Sequence, residues 1–143
     1  MSQFRIEGGH PLSGSIRASG NKNAALPILA ASLLVDGPVR IHNLPRIGDV
    51  QTMLQLLESL GAGITWLNDH AVEIQASSLR NVPPDPELCR RVRGSILLAA
   101  PLLHRFGRLE LPFPGGDRIG RRRIDTHLLA LQLLGARIDA GTS

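Results

Sequence analysis

The chain predicts an α/β fold assembled from repeated helix-strand-helix-strand-strand units. Three observations carry that prediction. Gly and Pro punctuate the sequence at short intervals, and helical and strand periodicities alternate between them. Two pairs of segments match in the same order, "LAASLL" with "LAAPLL" and "LESLGAGI" with "LQLLGARI", displaced by 69 and 74 residues. With 143 residues, 43% of them hydrophobic, the chain can bury an ordinary core.

Taken in order, "QFRIEG" and "GSIRAS" read as short strands. The stretch from Asn23 to Val35 is apolar all round and predicts a buried helix, with Pro27 near its first turn, where a missing N–H costs least. Gly37-Pro38 turns the chain, and "VRIHN" alternates as a half-buried strand. From Asp49 to Leu60, Val50, Met53, Leu54, Leu57 and Leu60 share one helical face, with Asp49 as N-cap and Gly61 as C-cap. "GITW" and "AVEIQ" follow as strands around the turn "LNDH".

A second pass then begins. Asp85-Pro86 opens a helix through Leu103, "RLEL" is a strand, and Asp125 to Leu134 is a second amphipathic helix closed by Gly135. The second unit stops at "RIDAGTS", where its closing hairpin should turn, so the chain reads as ending in mid-unit. The extra length between the two matches lies in the loop "LPFPGGDRIGRRRIDTH".

Composition narrows the function. Lys plus Arg number 16 against 12 Asp plus Glu, a basic balance that suits anionic partners. With three Phe, one Trp and no Tyr, and no nucleic-acid-binding motif, there is little on which bases could stack, so small anions are favoured over nucleic acid. Cys89 is the single cysteine and reads as a buried helix residue; a disulfide framework is excluded. No apolar run reaches the roughly 18 to 20 residues of a membrane helix. The first residues lack the pattern of a signal peptide, and the expected compartment is the cytoplasm. The five His and Cys89 show no metal spacing, and neither a dinucleotide fingerprint nor a phosphate-binding Walker loop is present.

Candidate chemistry lies in three places. "SGNKNAALP" sets Lys22 between two Asn immediately before an apolar helix, where backbone N–H groups and the helix dipole favour a phosphate or carboxylate. Lys22 is the one lysine in a chain that otherwise uses arginine, and its compact ammonium can follow an anion whose geometry changes. The plainer alternative is an Asn21 cap beside a solvated lysine. In "CRRVRGSI", Arg90 and Arg93 share a helix face and Arg91 points elsewhere; Arg93, beside small Gly94 and Ser95, is the candidate contact. In the long loop, Gly115-Gly116 permits close backbone approach or positive φ just before Asp117. Among Arg118, Arg121, Arg122 and Arg123, that carboxyl is an ion-pair partner unless bound anions neutralise the arginines. Asp125 and His127 lie two apart, off a common helix face, and form no triad.

Together, "SGNKNAALPILAASLL", "VRGSI", "PGGDRIGRRRIDTH" and "LQLLGARI" closely resemble the UDP-N-acetylglucosamine 1-carboxyvinyltransferases, enolpyruvyl transferases of the EPSP synthase-like superfamily. The resemblance runs end to end. It implies an inside-out α/β barrel in two lobes of three units each, here incomplete. Residues 1–18 would be strands of the second lobe, and 19–143 about two of the three units of the catalytic lobe. The implied reaction moves the enolpyruvyl group of phosphoenolpyruvate to the 3-hydroxyl of UDP-N-acetylglucosamine in peptidoglycan synthesis, without metal or organic cofactor.

By the same resemblance, Lys22 and Asn23 hold phosphoenolpyruvate. Arg93, Arg122, Arg123, Ile124, Asp125 and Thr126 contact the UDP-sugar. The loop is a mobile lid, and Asp117 is the proton donor in place of the cysteine that fosfomycin alkylates in most members. A carboxyl donates a proton if closure raises its pKa, and it is a far weaker nucleophile than a thiolate, which implies activity without fosfomycin sensitivity. Arg123 stands where proline is usual, leaving φ free and adding a charge near the nucleotide. The third unit and the residues that complete the site would lie outside this chain, leaving it inactive alone. Two other readings stand beside this one: transfer to shikimate 3-phosphate, against which "GNKNAALP" argues, and a non-catalytic RNA-binding module using the Arg-rich loop, against which the scarcity of aromatics argues.

Overall fold

A computed structural model describes residues 3–116, 120 and 123–139. Helix α1 spans Lys22–Ser32; Asn21 caps it, its Oδ1 accepting from the N–H groups of Asn23 (2.7 Å) and Ala24 (3.2 Å). Pro27 falls in the second turn, not the first, and so withdraws the helical donor from the Asn23 carbonyl. Strand β1, Val39–Ile41, leads into helix α2, Gly48–Ser59. Asp49 lies inside the first turn of α2 and does not cap it; Ile47 holds the cap position without a side-chain bond. A hairpin of β2, Gly63–Asn68, and β3, Ala71–Gln75, follows as predicted.

The three strands form one antiparallel sheet in the order β1-β3-β2. Its register stacks Ile41 and Trp66 on either side of Val72, and Val39 and Ile64 on either side of Ile74, all toward the core. On the other face, Arg40 Nε bonds Glu73 Oε2 at 2.6 Å.

α2 is the centre of the fold. Val50, Met53, Leu56 and Leu57 are fully buried, and the helix packs against α1, β2 and the elements of the second unit. Its C-terminus closes as predicted. Gly61, at φ +97°, donates to Glu58 O, and Ala62 donates to Leu57 O, the paired bonds of a Schellman turn.

The helix expected from Asp85-Pro86 through Leu103 is instead three pieces: α3, Pro86–Arg91, a 3-10 segment, Arg93–Leu98, and α4, Ala99–Phe106. Val92 separates them in an extended conformation, φ −133° and ψ 120°. In a continuous helix the carbonyls of Cys89 and Arg90 would accept from residues 93 and 94. Here they accept from Gly115 and Gly116 of the long loop, each at 2.9 Å. The loop has taken over bonds that the helix would have made. Arg105 near the end of α4 reaches back to the end of α1, bonding Leu33 O and Asp36 Oδ1, both at 2.7 Å.

Three further expectations are corrected among the described residues. "QFRIEG" and "GSIRAS" form no strands, and Phe4, Ile6, Leu12 and Ile16 stand at least 87% exposed, because no neighbouring edge supplies hydrogen bonds. "RLEL" is no strand either: β1 is held by β3 of the hairpin that follows it, and no such hairpin follows in the second unit. The predicted second amphipathic helix is present as α5, Asp125–Leu133, and ends in the same Schellman turn, Gly135 to Gln132 O and Ala136 to Leu131 O. It buries no residue; Leu133 and Leu134 are 80% and 85% exposed.

Replacing Leu57, at the centre of α2, by Ala should lower unfolding free energy in urea by about 2–5 kcal/mol with the m-value unchanged.

Candidate functional site

The site starts at the head of α1. Gly20 is needed there because a Cβ would stand 1.9 Å from the carbonyl oxygen of Asn43, so only glycine lets the chain pass under the β1–α2 connection. That passage brings α1 and α2 into register at their N-terminal ends, and Lys22 Nζ meets Asp49 Oδ2 at 2.8 Å. Asn23 sits exposed in the same first turn. One turn on, Leu26 packs against Gly94, where a Cβ would lie only 2.9 Å from Leu26 Cδ1. Lys22 and Leu26 share a face of α1, so this contact draws the head of the 3-10 segment, and Arg93 with it, to the side of α1 that carries Lys22.

Arg93 is half-buried and donates from Nη2 to the backbone carbonyl of Arg123 at 2.8 Å. The shared face expected for Arg90 and Arg93 does not survive the break at Val92. Arg90 pairs with Glu87 in its own helix, while Arg93 turns to the far end of the loop. The loop is thus fastened on both sides of its centre: before it by the amides of Gly115 and Gly116, after it by the carbonyl of Arg123. Gly115 is obligatory, since a Cβ would meet Arg90 O at 1.9 Å, and Gly116 adopts φ +91°. Asp117 and Arg122 lie outside the described residues.

Past the loop, Ile124 precedes α5, and Asp125 and Thr126 form its first turn. Arg123 forms an ion pair with Asp125. That contact holds the Asp125 carboxyl below its ordinary pKa, chiefly through the hydrogen bond from Arg123, and raises the guanidinium of Arg123 in turn. The extra arginine thus has its own counter-ion. Asp125 and Thr126 also line one end of an open groove of about 450 Å3 with Leu128, Leu129, Gln132 and Ile138.

Electrostatically, the head of α1 joins the dipole of an 11-residue helix and the Lys22 ammonium, with the Asp49 carboxylate against it. A helix N-terminus and an ammonium with three donors are the chemistry that suits a small anion. Cys89 is buried, and burial pushes its thiol pKa up, so it is a packing residue with little thiolate. Among the described residues, no three His, Cys, Asp or Glu side chains gather as a metal site, and no helix is long and apolar enough to cross a membrane.

The sequence marks Lys22, Asn23 and Arg93 as candidates but offers Asp49 only as a helix cap. The pairing joins residues 27 positions apart and has no linear signature.

The mixed helix and strand fold points to a class, and comparison with known proteins agrees with it. Residues 6–143 match the family model described as EPSP synthase (3-phosphoshikimate 1-carboxyvinyltransferase), and the chain belongs to that family. Among curated relatives, UDP-N-acetylglucosamine 1-carboxyvinyltransferase of Bradyrhizobium diazoefficiens is 56% identical over 96% of this chain and 32% of its own length. The protein of that name from Treponema denticola is 47% identical over 97% of this chain and 33% of its own. A crystal structure of the enolpyruvyl transferase NikO from Streptomyces tendae superposes with a TM-score of 0.60 at 31% identity, covering 70% of this chain and 23% of that one. The chain therefore spans about a third of the length of these curated relatives.

Gly115→Ala should detach the loop from α3 without unfolding the core. Amide exchange at residue 116 is expected to speed up markedly while exchange in α2 stays unchanged. Asp125 should titrate below the ordinary carboxylate range by NMR, and Arg123→Ala should return it there. The pair's contribution is present above the unfolded carboxylate's pKa and lost as pH falls through the lower folded value.

Proposed function

We propose that this chain carries the phosphoenolpyruvate subsite and part of the sugar-nucleotide subsite of an enolpyruvyl transferase. The enzyme moves the enolpyruvyl group of phosphoenolpyruvate to the 3-hydroxyl of UDP-N-acetylglucosamine, a cytoplasmic step of peptidoglycan synthesis. The observation that carries this reading is the head of α1, a single lysine at a capped helix N-terminus, in a chain 56% identical to an enzyme of that name.

In this reading Lys22 and Asn23 hold the phosphate and carboxylate of phosphoenolpyruvate. The sugar hydroxyl gives up its proton to a base supplied by the rest of the site as its oxygen bonds C2, and Asp117 protonates the methylene carbon to a methyl group; loss of one methyl proton together with departure of phosphate from C2 then restores the double bond and releases the enolpyruvyl ether. Neutralisation of the surrounding arginines by substrate anions raises the Asp117 carboxyl toward a useful donor. Arg93, Arg122, Arg123, Ile124, Asp125 and Thr126 serve the diphosphate and uridine. Arg93 stands between the two subsites: it touches the loop at Arg123, and its neighbour Gly94 packs on Leu26 of α1. No cofactor is required by this chemistry. The family model is named for the shikimate enzyme, and an acceptor competition between shikimate 3-phosphate and UDP-N-acetylglucosamine separates the two.

Calorimetry should show phosphoenolpyruvate binding to this chain, weakened about tenfold or more by Lys22→Met, the loss of a charge-assisted hydrogen bond. Phosphate release with UDP-N-acetylglucosamine is expected only when the rest of the site is supplied. Fosfomycin should leave such an active form unmodified, and Asp117→Cys should make it alkylable, read by mass spectrometry. Alkylation of the unsubstituted protein with loss of activity would sink the assignment of Asp117.

A further inference from the structure

Asp49 has no place in the mechanism above, yet its carboxylate is a partner of the residue on which phosphoenolpyruvate binding depends. The pair is not there for stability. Both side chains are close to half-exposed, at 44% and 39%, and ion pairs that wet add little to folding. A four-carbon stem bearing a hydrated ammonium samples many rotamers when nothing restrains it. Asp49 is well suited to restrain one. It sits in the first turn of α2, where the helix dipole stabilises its charge, and α2 is the most deeply buried helix among the described residues, so the carboxylate is mounted on a rigid base.

We infer that Asp49 is a positioning residue for the anion site: it holds the Lys22 ammonium over the head of α1, and the ammonium, with three donors, bonds the carboxylate and an incoming anion together. The inference rests on the phosphoenolpyruvate reading of Lys22. It adds that affinity at this site depends on a carboxylate, a group that by simple charge would repel the ligand. Two helix N-termini, of α1 and α2, meet at the pair, and their joint positive ends offset that repulsion.

The chain's single lysine makes the test direct, because lysine-selective 15N labelling yields one Nζ signal, assigned by its loss in Lys22→Met. In the free chain that signal is expected to be sharp and slow to exchange, to broaden in Asp49→Asn, and to recover in part in Asp49→Glu. Melting temperatures should stay level across the series. Phosphoenolpyruvate affinity should fall about two- to fivefold in Asp49→Asn, the scale of one exposed ion pair, and the substitution should have no effect in a Lys22→Met background. An unchanged Nζ signal in Asp49→Asn, or tighter phosphoenolpyruvate binding, overturns the inference, the latter because Asp49 would then only screen the lysine. A signal that responds as expected in a chain that binds no phosphoenolpyruvate supports the positioning of Lys22 and overturns the reading of its ligand.

Discussion

The burial of α2 is the constraint on which the rest of the structure depends. Val50, Thr52, Met53, Leu54, Leu56 and Leu57 are all at most 4% exposed, and only Gln51, Gln55 and Glu58 of its middle turns face water. A helix with so little polar surface must be wrapped on several sides, and α1, the sheet, α3 and the 3-10 segment do the wrapping. Once those four are packed around it, the heads of α1 and α2 lie together and Leu26 meets Gly94. The meeting of the two helix heads follows from core packing.

The break at Val92 shows how the loop and the site are made in one step. Cys89, Val92, Ile96 and Ala99 are all buried at spacings that an unbroken helix would also satisfy, so apolar periodicity gives no hint of an interruption. What interrupts it is competition for hydrogen bonds. Gly115 and Gly116 bring their amides to the carbonyls of Cys89 and Arg90, and glycine alone can come that close. Arg93, released from the helix, turns to the carbonyl of Arg123 and ties the other end of the loop.

The repeat is real locally and unequal in three dimensions. α2 and α5 end in the same Schellman turn at Gly61 and Gly135, both at φ +97°, yet one helix is the core and the other buries nothing. A turn of that kind depends on six consecutive residues, whereas burial depends on what packs alongside. Around α5, and along residues 3–18, apolar side chains stand outward in a chain that spans a third of its relatives' length.

From the sequence alone came the α/β class, the glycine turns that end α2 and α5, the β2–β3 hairpin, the helices α1, α2 and α5, and the family resemblance. These rest on local periodicity and on glycine, proline and asparagine chemistry, which act over a few residues. It also marked Lys22 and Arg93, because an odd lysine before an apolar helix and an arginine beside glycine are visible in one dimension. Only tertiary structure decided the rest: the split of the second-unit helix, the failure of "RLEL" and the N-terminal segments to pair, the turning of Arg93 away from Arg90, and the Lys22–Asp49 contact. Each of those depends on a partner far along the chain competing for, or withholding, a hydrogen bond or a charge, and no local pattern records that competition.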